Sequence, residues 1–367
     1  MGTIPSLPFR PNEVSGENQK RKTNKTIHIM KKIFTAVLAL AVVAACNKAE
    51  VIGVNDSNAI AFDNAFVDNA TKSVNDPSFT NNNLFADFAV YGFVEGAVLF
   101  DGTKVSKGIE NGDLNSVWKY EGTQYWIAGA QYNFNAVAPM TAGGWTKSAA
   151  NATSTTLSFV NNGTTDLLYA TTAQEGKVSG NADVAFSFRH VLSKVKFSFE
   201  NAYNATNATI KVKDIVITNP HKTGDVVLTG STVWSNLEVD DLTLAFGMAT
   251  DDEATTDAKE NAEVAIVYSK IYESQNERFL IPSTTAHEYE VTFTVELLVS
   301  GTKVATYYHD VTAKFAPAAG NSYDIKAVIN AENIDPDHAQ EPIEFTVNEL
   351  SDWANTTSVD AQYPQNN

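Results

Sequence analysis

The chain holds one cysteine, four methionines and eleven prolines in 367 residues, and each scarcity removes a class of reading. With Cys46 the only thiol, no intramolecular disulfide can form, so an exported domain of this sequence must rely on its apolar core. Cys/His zinc clusters fall for the same reason. The six histidines (His28, His190, His221, His287, His309 and His338) include no pair at zinc-ligand spacing and no zincin motif. Basic residues are also few: 26 Lys and Arg stand against 43 Asp and Glu, a net charge of −17. That balance argues against nucleic acid and against an anionic membrane surface as partners. No glycine-rich phosphate loop precedes a helix, and there is no nucleophile elbow. The motifs therefore name no catalytic residue, no cofactor and no metal site. One enzymatic reading stays open, a glycosidase-like carboxylate pair assembled by the fold, because Asp and Glu are plentiful. The acidic stretch from Asp251 to Glu260 lacks the glycine that a calcium loop needs at its turn and reads as a solvated loop.

Long apolar runs are missing with one exception, Met30 to Cys46. Lys31 and Lys32 form a charged start, Ile33 to Val43 is apolar or small, and Ala44-Ala45 precedes Cys46 as a small-residue cleavage site. A core helix would show polar positions at helical spacing, and this stretch offers only Thr35. The run is too short to span a bilayer. It reads as a lipoprotein export signal, residues 30–45, that leaves Cys46 as the diacylated first residue of the mature chain. Residues 1–29 are polar, show no apolar period, and read as an upstream extension with translation starting at Met30. Residues 46–58 read as a polar tether. Without residues 1–45 the chain keeps 19 basic and 41 acidic residues, a strongly self-repelling surface.

The remainder is long enough for two domains of roughly 150 residues each. Short apolar runs bounded by Asn, Gly, Asp and Pro recur without a convincing helix. Fifteen candidate strands emerge, among them Phe85 to Phe93, Tyr132 to Ala138, Val184 to Phe188, Ser193 to Glu200, Thr209 to Thr218, Tyr289 to Val299 and Ile343 to Leu350. Many alternate strictly, as in Val195, Phe197 and Phe199 between polar neighbours, so one face of each sheet is packed and the other wet. The expectation is all-β, two β-sandwiches in series, residues 59–190 and 191–367, joined near Phe188 to Ser193. His190 sits in the alternation of Phe186, Phe188 and Leu192 and reads as a packed structural residue. The rings Trp118, Tyr120, Tyr125, Trp126, Tyr132 and Phe134 suit either a core or a carbohydrate platform; their strand-like alternation favours the core unless two rings lie exposed side by side.

A family resemblance then becomes visible. Tyr91-Gly92-Phe93, Trp118-Lys119-Tyr120 with Tyr125-Trp126, and Tyr132-Asn133-Phe134 running to Pro139 resemble the early strands of Bacteroidales fimbrillins of the Mfa-like type. Phe188-Arg189-His190-Val191-Leu192-Ser193-Lys194-Val195, Leu280-Ile281-Pro282, Gly320 to Tyr323, and Ile343 to Trp353 match later blocks in the same order. The resemblance implies two transthyretin-like β-sandwich domains and a structural, non-enzymatic subunit of a type V fimbria. It further implies export as a lipoprotein to the outer membrane surface and a trypsin-like protease that cuts after a basic residue following the first strand. Loss of that strand would open a groove for a C-terminal strand of the next subunit. Carried onto this chain, the removed strand contains Ile60, Phe62 and Phe66, and the donor strand contains Ile343, Phe345 and Val347. The basic residue is Lys72, where the commonest pattern has Arg. The partners so implied are other fimbrial subunits, the protease, the membrane through the lipid, and a receptor on a host or bacterial surface. Two rival readings stand beside this: a surface lipoprotein adhesin that binds glycan or host protein without polymerising, and a secreted β-sandwich hydrolase.

Overall fold

Period-two alternation organises nearly the whole chain. The computed structural model describes residues 58–67, 86–110, 113–248, 264–274, 276–334 and 342–350. In chain order the strands are β1 (Phe62–Val67), β2 (Asp87–Val94), β3 (Ala97–Glu110), β4 (Asp113–Tyr120), β5 (Gln131–Ala138), β6 (Trp145–Asn151) and β7 (Ser154–Val160). They continue with β8 (Leu168–Glu175), β9 (Val184–His190), β10 (Ser193–Asn201), β11 (Ala208–Ile217), β12 (His221–Leu228), β13 (Thr232–Val239) and β14 (Leu244–Phe246). The remainder are β15 (Val264–Ile266), β16 (Ile271–Glu273), β17 (Arg278–Leu280), β18 (His287–Val299), β19 (Thr302–Phe315), β20 (Ser322–Ile329) and β21 (Phe345–Leu350), with one short helix, α1 (Ala331–Ile334), before β21. The all-β expectation holds.

A seven-stranded sheet has the order β1-β9-β8-β5-β2-β3-β4. Its end strands lie against each other, so the sheet rolls up around its own inner face. That face carries Phe62, Phe88, Phe100, Trp118, Phe134, Phe186 and Phe188, all buried. Gly92 belongs to the same face because no side chain fits there: a Cβ would come within 2.5 Å of the Phe100 ring and 3.2 Å of Phe134. The opposite face presents Ala89, Tyr91, Phe93, Val137 and Tyr169 to Leu157, Phe159, Val226 and Leu228, which come from the four-stranded sheet β13-β12-β7-β6. Strand β2 is thus buried on both faces along its entire length.

The second core lies between two sheets, β16-β10-β20-β21 with β17 also on β10, and β14-β11-β18-β19 with β15 also on β11. Val195, Phe197 and Phe199 of β10 meet Ile210, Val212, Ile215 and Ile217 of β11 and the alternating Tyr289, Val291, Phe293, Val295 and Leu297 of β18. The chain passes from one core to the other at Val191 and Leu192, which belong to the first, and Val195, which belongs to the second. The hairpin β12–β13 then returns: it follows residue 190 in sequence, yet β12 pairs with β7 over Thr223↔Val160 to Leu228↔Thr155. A division of the chain at 190 therefore cuts across this four-stranded sheet.

Candidate functional site

The expected functional elements are the first strand with the slot that holds it, and the C-terminal strand. Strand β1 joins the seven-stranded sheet in parallel with β9, with Phe62 opposite Val184, Asp63 opposite Ala185, Phe66 opposite Ser187 and Val67 opposite Phe188. Every other pairing in that sheet is antiparallel. The alternation Ile60, Ala61, Phe62 sends Ile60 and Phe62 inward, where they are 2% and 3% exposed. Phe62 touches rings from five other strands: Phe88 at 6.1 Å, Phe100 at 5.7 Å, Tyr120 at 5.5 Å, Phe134 at 6.2 Å and Phe186 at 5.9 Å between centroids. Four of these pairs are edge-to-face and the Phe186 pair is stacked; aromatic pairs add about 0.5–1.5 kcal/mol each beyond area burial. Among the described side chains of β1, Phe62 therefore bridges the two ends of the roll.

The residues leading into β1 are bonded on both sides. Ile60 N–H donates to the Gln124 carbonyl at 2.7 Å, Trp126 N–H donates to the Asn58 carbonyl at 3.1 Å, and Val184 N–H donates to the Ala61 carbonyl at 2.7 Å. The Tyr120 hydroxyl donates to the Ile60 carbonyl at 2.8 Å and accepts from Gln124 N–H at 3.1 Å. Burial pushes the Tyr120 phenol up from its ordinary value, partly offset by the Gln124 amide, so it stays a neutral donor. Asn58 ties the entry point to two loops: its Nδ2 donates to the Trp126 carbonyl at 3.0 Å and its Oδ1 accepts from Asn181 Nδ2 at 2.7 Å. Phe66 is placed by its backbone pairing alone, and Cys46 and Lys72 lie outside the described residues.

The C-terminal strand sits on its own sheet. β21 runs antiparallel at the edge beside β20, with Phe345 opposite Ala327 and Val347 opposite Ile325. Ile343 is 1% exposed, and Phe345 and Val347 pack against the second core. The Phe345 ring lies 5.7 Å from Phe197 and 5.8 Å from Phe293.

Other candidate residues resolve as follows. Trp118, Trp126, Tyr132 and Phe134 are buried, Tyr120 is half-buried, and of the six rings weighed as a carbohydrate platform only Tyr125 is exposed, at 37%. His190 Nδ1 pairs with the Asp166 carboxylate at the edge of the first core. One grouping escaped sequence reading: His221 at the start of β12 and His287 at the start of β18, 66 positions apart, bring their rings to 4.4 Å. Burial, and then the neighbouring His287, push the His221 imidazole down to about 4. Among the described residues no group of three or more His, Cys, Asp or Glu could hold a metal ion, and no helix is long and apolar enough to cross a membrane. The acidic stretch 251–260 lies outside the described residues.

Comparison with known proteins places this geometry. Residues 30–47 match the prokaryotic membrane lipoprotein lipid attachment site. No curated protein matches the chain. Among solved structures, a candidate cell adhesion protein of Bacteroides uniformis is 15% identical, with 82% of this chain and 99% of that one covered and a TM-score of 0.42. The fimbrial anchor protein Mfa2 of Porphyromonas gingivalis is 12% identical over 80% and 97% of the two chains, with a TM-score of 0.33. Residues 70–353 match the fimbrillin-like family, a span that begins just past β1 and takes in the rest of the first core and the second core. The chain belongs to the fimbrillin-like family and carries a match to the lipoprotein lipid attachment site over residues 30–47.

Proposed function

We propose that this protein is a structural, non-enzymatic fimbrial subunit that reaches the outer membrane surface as a lipoprotein and is assembled by protease-triggered donor-strand exchange. The observation that carries this reading is the seating of β1. It is a lone parallel strand in an otherwise antiparallel sheet, and Phe62 fills a slot walled by five rings from five other strands. A cut after Lys72 by a trypsin-like protease would leave β1 held only by non-covalent contacts. Fully burying Ile60 and Phe62 contributes roughly 1.5–3 kcal/mol each. Once β1 leaves, the slot is empty and the outer edge of β9 has lost its partner. A strand from another subunit recovers both terms by β-augmentation. The donor in this reading is the C-terminal region Ile343 to Asn367, whose Ile343, Phe345 and Val347 alternate.

One observation favours a second reading, a terminal or anchoring subunit that keeps β1. Ile343, Phe345 and Val347 already pack on the chain's own second core, so donating them costs that packing. The test is mild trypsin treatment of the purified mature protein. The first reading expects SDS-resistant ladders, abolished when the residues after Leu350 are deleted. A cut protein that stays monomeric at high concentration, or a truncated one that polymerises equally well, moves the anchoring or adhesin reading ahead.

A further inference from the structure

The end of the first core at which β1 enters shows exposed apolar side chains. In the extended segment 124–127 the side chains alternate: Trp126 is 4% exposed and faces the core, while Tyr125 is 37% and Ile127 40% exposed. The loop 176–181 lies directly beside them. Gly129 N–H donates to the Gly176 carbonyl at 2.7 Å, and Gly176 N–H donates to the Ala130 carbonyl at 2.9 Å. A Cβ on Gly176 would come within 2.2 Å of the Ile127 carbonyl. Loop 176–181 is closed on itself by Lys177 N–H donating to Asn181 Oδ1 at 2.7 Å and by Asn181 Nδ2 donating to the Lys177 carbonyl at 3.1 Å. It presents Val178, 82% exposed. Asn58 joins the two loops through its bonds to Trp126 and Asn181.

Three large apolar side chains thus surround the point where the chain arrives from the lipid attachment site. Asn58 lies twelve positions after Cys46, a span of at most about 40 Å when fully extended. The charged side chains nearest in sequence among the described residues, Glu121, Glu175, Lys177 and Asp183, are mixed in sign and form no basic patch to recognise anionic headgroups. A tyrosine with two aliphatic side chains suits the boundary between headgroup and acyl chain, where an apolar body is buried and a hydroxyl stays wet.

We infer that this rim, Tyr125, Ile127 and Val178, rests on the lipid bilayer that holds the acylated Cys46, and that the contact is apolar in character. The inference rests on lipid attachment at Cys46 and concerns the uncut chain. It orients the anchored protein with its first-strand entry toward the membrane.

The full lipidated chain, whose single native thiol is blocked by acylation, is labelled with an environment-sensitive fluorophore at Ile127→Cys, at Val178→Cys or, as a remote control, at Tyr308→Cys on β19. Each is reconstituted in neutral phosphatidylcholine vesicles with and without a doxyl-lipid quencher. The expected result is at least twofold stronger quenching at 127 and 178 than at 308, unchanged by raised salt. Protein that floats with the vesicles but shows equal quenching at all three positions overturns the inference while lipid attachment stands. Failure to float overturns both. Probes that ignore the vesicles but respond to an added unlabelled copy make the rim a protein contact and also overturn it.

Discussion

Replacing Phe62 by alanine tests the slot at its centre. The ring is 3% exposed and within 6.2 Å of five other rings, so the substitution leaves a cavity bounded by Phe88, Phe100, Tyr120, Phe134 and Phe186. Core Phe→Ala changes cost about 3–5 kcal/mol. A roll closed by a single strand has few ways to collapse, so the upper half of that range is expected. Domains of this kind have about 5–15 kcal/mol to lose. Urea unfolding followed by tryptophan fluorescence suits the measurement, because Trp118, Trp126, Trp145 and Trp234, the four tryptophans among the described residues, all belong to the first core and its two sheets. The two cores need not unfold together, and this signal follows the relevant one. The control is Tyr308→Ala at an 84% exposed position, where a change within about 0.5 kcal/mol is expected. A Phe62→Ala loss below about 1 kcal/mol would mean that the slot does not depend on its occupant, and the reasoning built on β1 would fail.

Gly92→Ala forces a methyl against the Phe100 ring; it should destabilise the first core by about 1–3 kcal/mol in the same urea assay. Tyr120→Phe removes only the hydroxyl that donates to the Ile60 carbonyl; it should cost about 1 kcal/mol and speed proteolysis at the β1 entry while leaving the core fluorescence unchanged. His221, buried and held down to about 4, takes up a proton in the unfolded chain before it does so in the folded one. Stability should therefore be full above about pH 6.5 and decline as the pH falls toward about 4, where this contribution levels off. His221→Gln should flatten that part of a pH-stability curve, and an unchanged slope would remove the histidine as its cause.

The strands visible in the sequence are those whose apolar residues alternate with polar ones, such as β10 and β18; the expected wet face is not found there, because Ser193, Lys194, Lys196 and Ser198 of β10 and Thr294 and Glu296 of β18 are buried as well. Those that escaped it have a different physics. β3 is fourteen residues long yet carries Asp101, Gly102, Lys104, Lys107 and Gly108; of its described side chains only Phe100, Val105 and Lys107 are buried, the last with its ammonium over the Trp118 ring. β6 and β13 are edge strands of the four-stranded sheet and largely exposed, so their apolar residues do not mark one buried face: on β13 Trp234 and Leu237 pack on the first core while Val233 and Val239 are exposed. The pairing of β12 with β7 joins segments more than sixty positions apart through backbone bonds, which leave little imprint on side-chain pattern. The same holds for the site. The inward direction of Ile60 and Phe62 was readable from alternation, whereas the ring of five aromatic partners depends on a sheet rolling until its ends meet. The seat of Ile343, Phe345 and Val347 on their own core is likewise a matter of tertiary packing.

Hydrogen exchange at the outer edge of β9 addresses the central claim most directly, because Val184, Ala185, Ser187 and Phe188 face β1 in register. Three samples are compared: the uncut chain, the protease-cut monomer separated from its first segment, and the assembled cut polymer. The account predicts that β9 amides bonded to the first strand, led by Val184 N–H, are protected in the first, exchange rapidly in the second and are protected again in the third. Protection that persists in the cut monomer, or that fails to return in the polymer, would contradict the claim that β1 is a removable occupant replaced by a strand from another subunit.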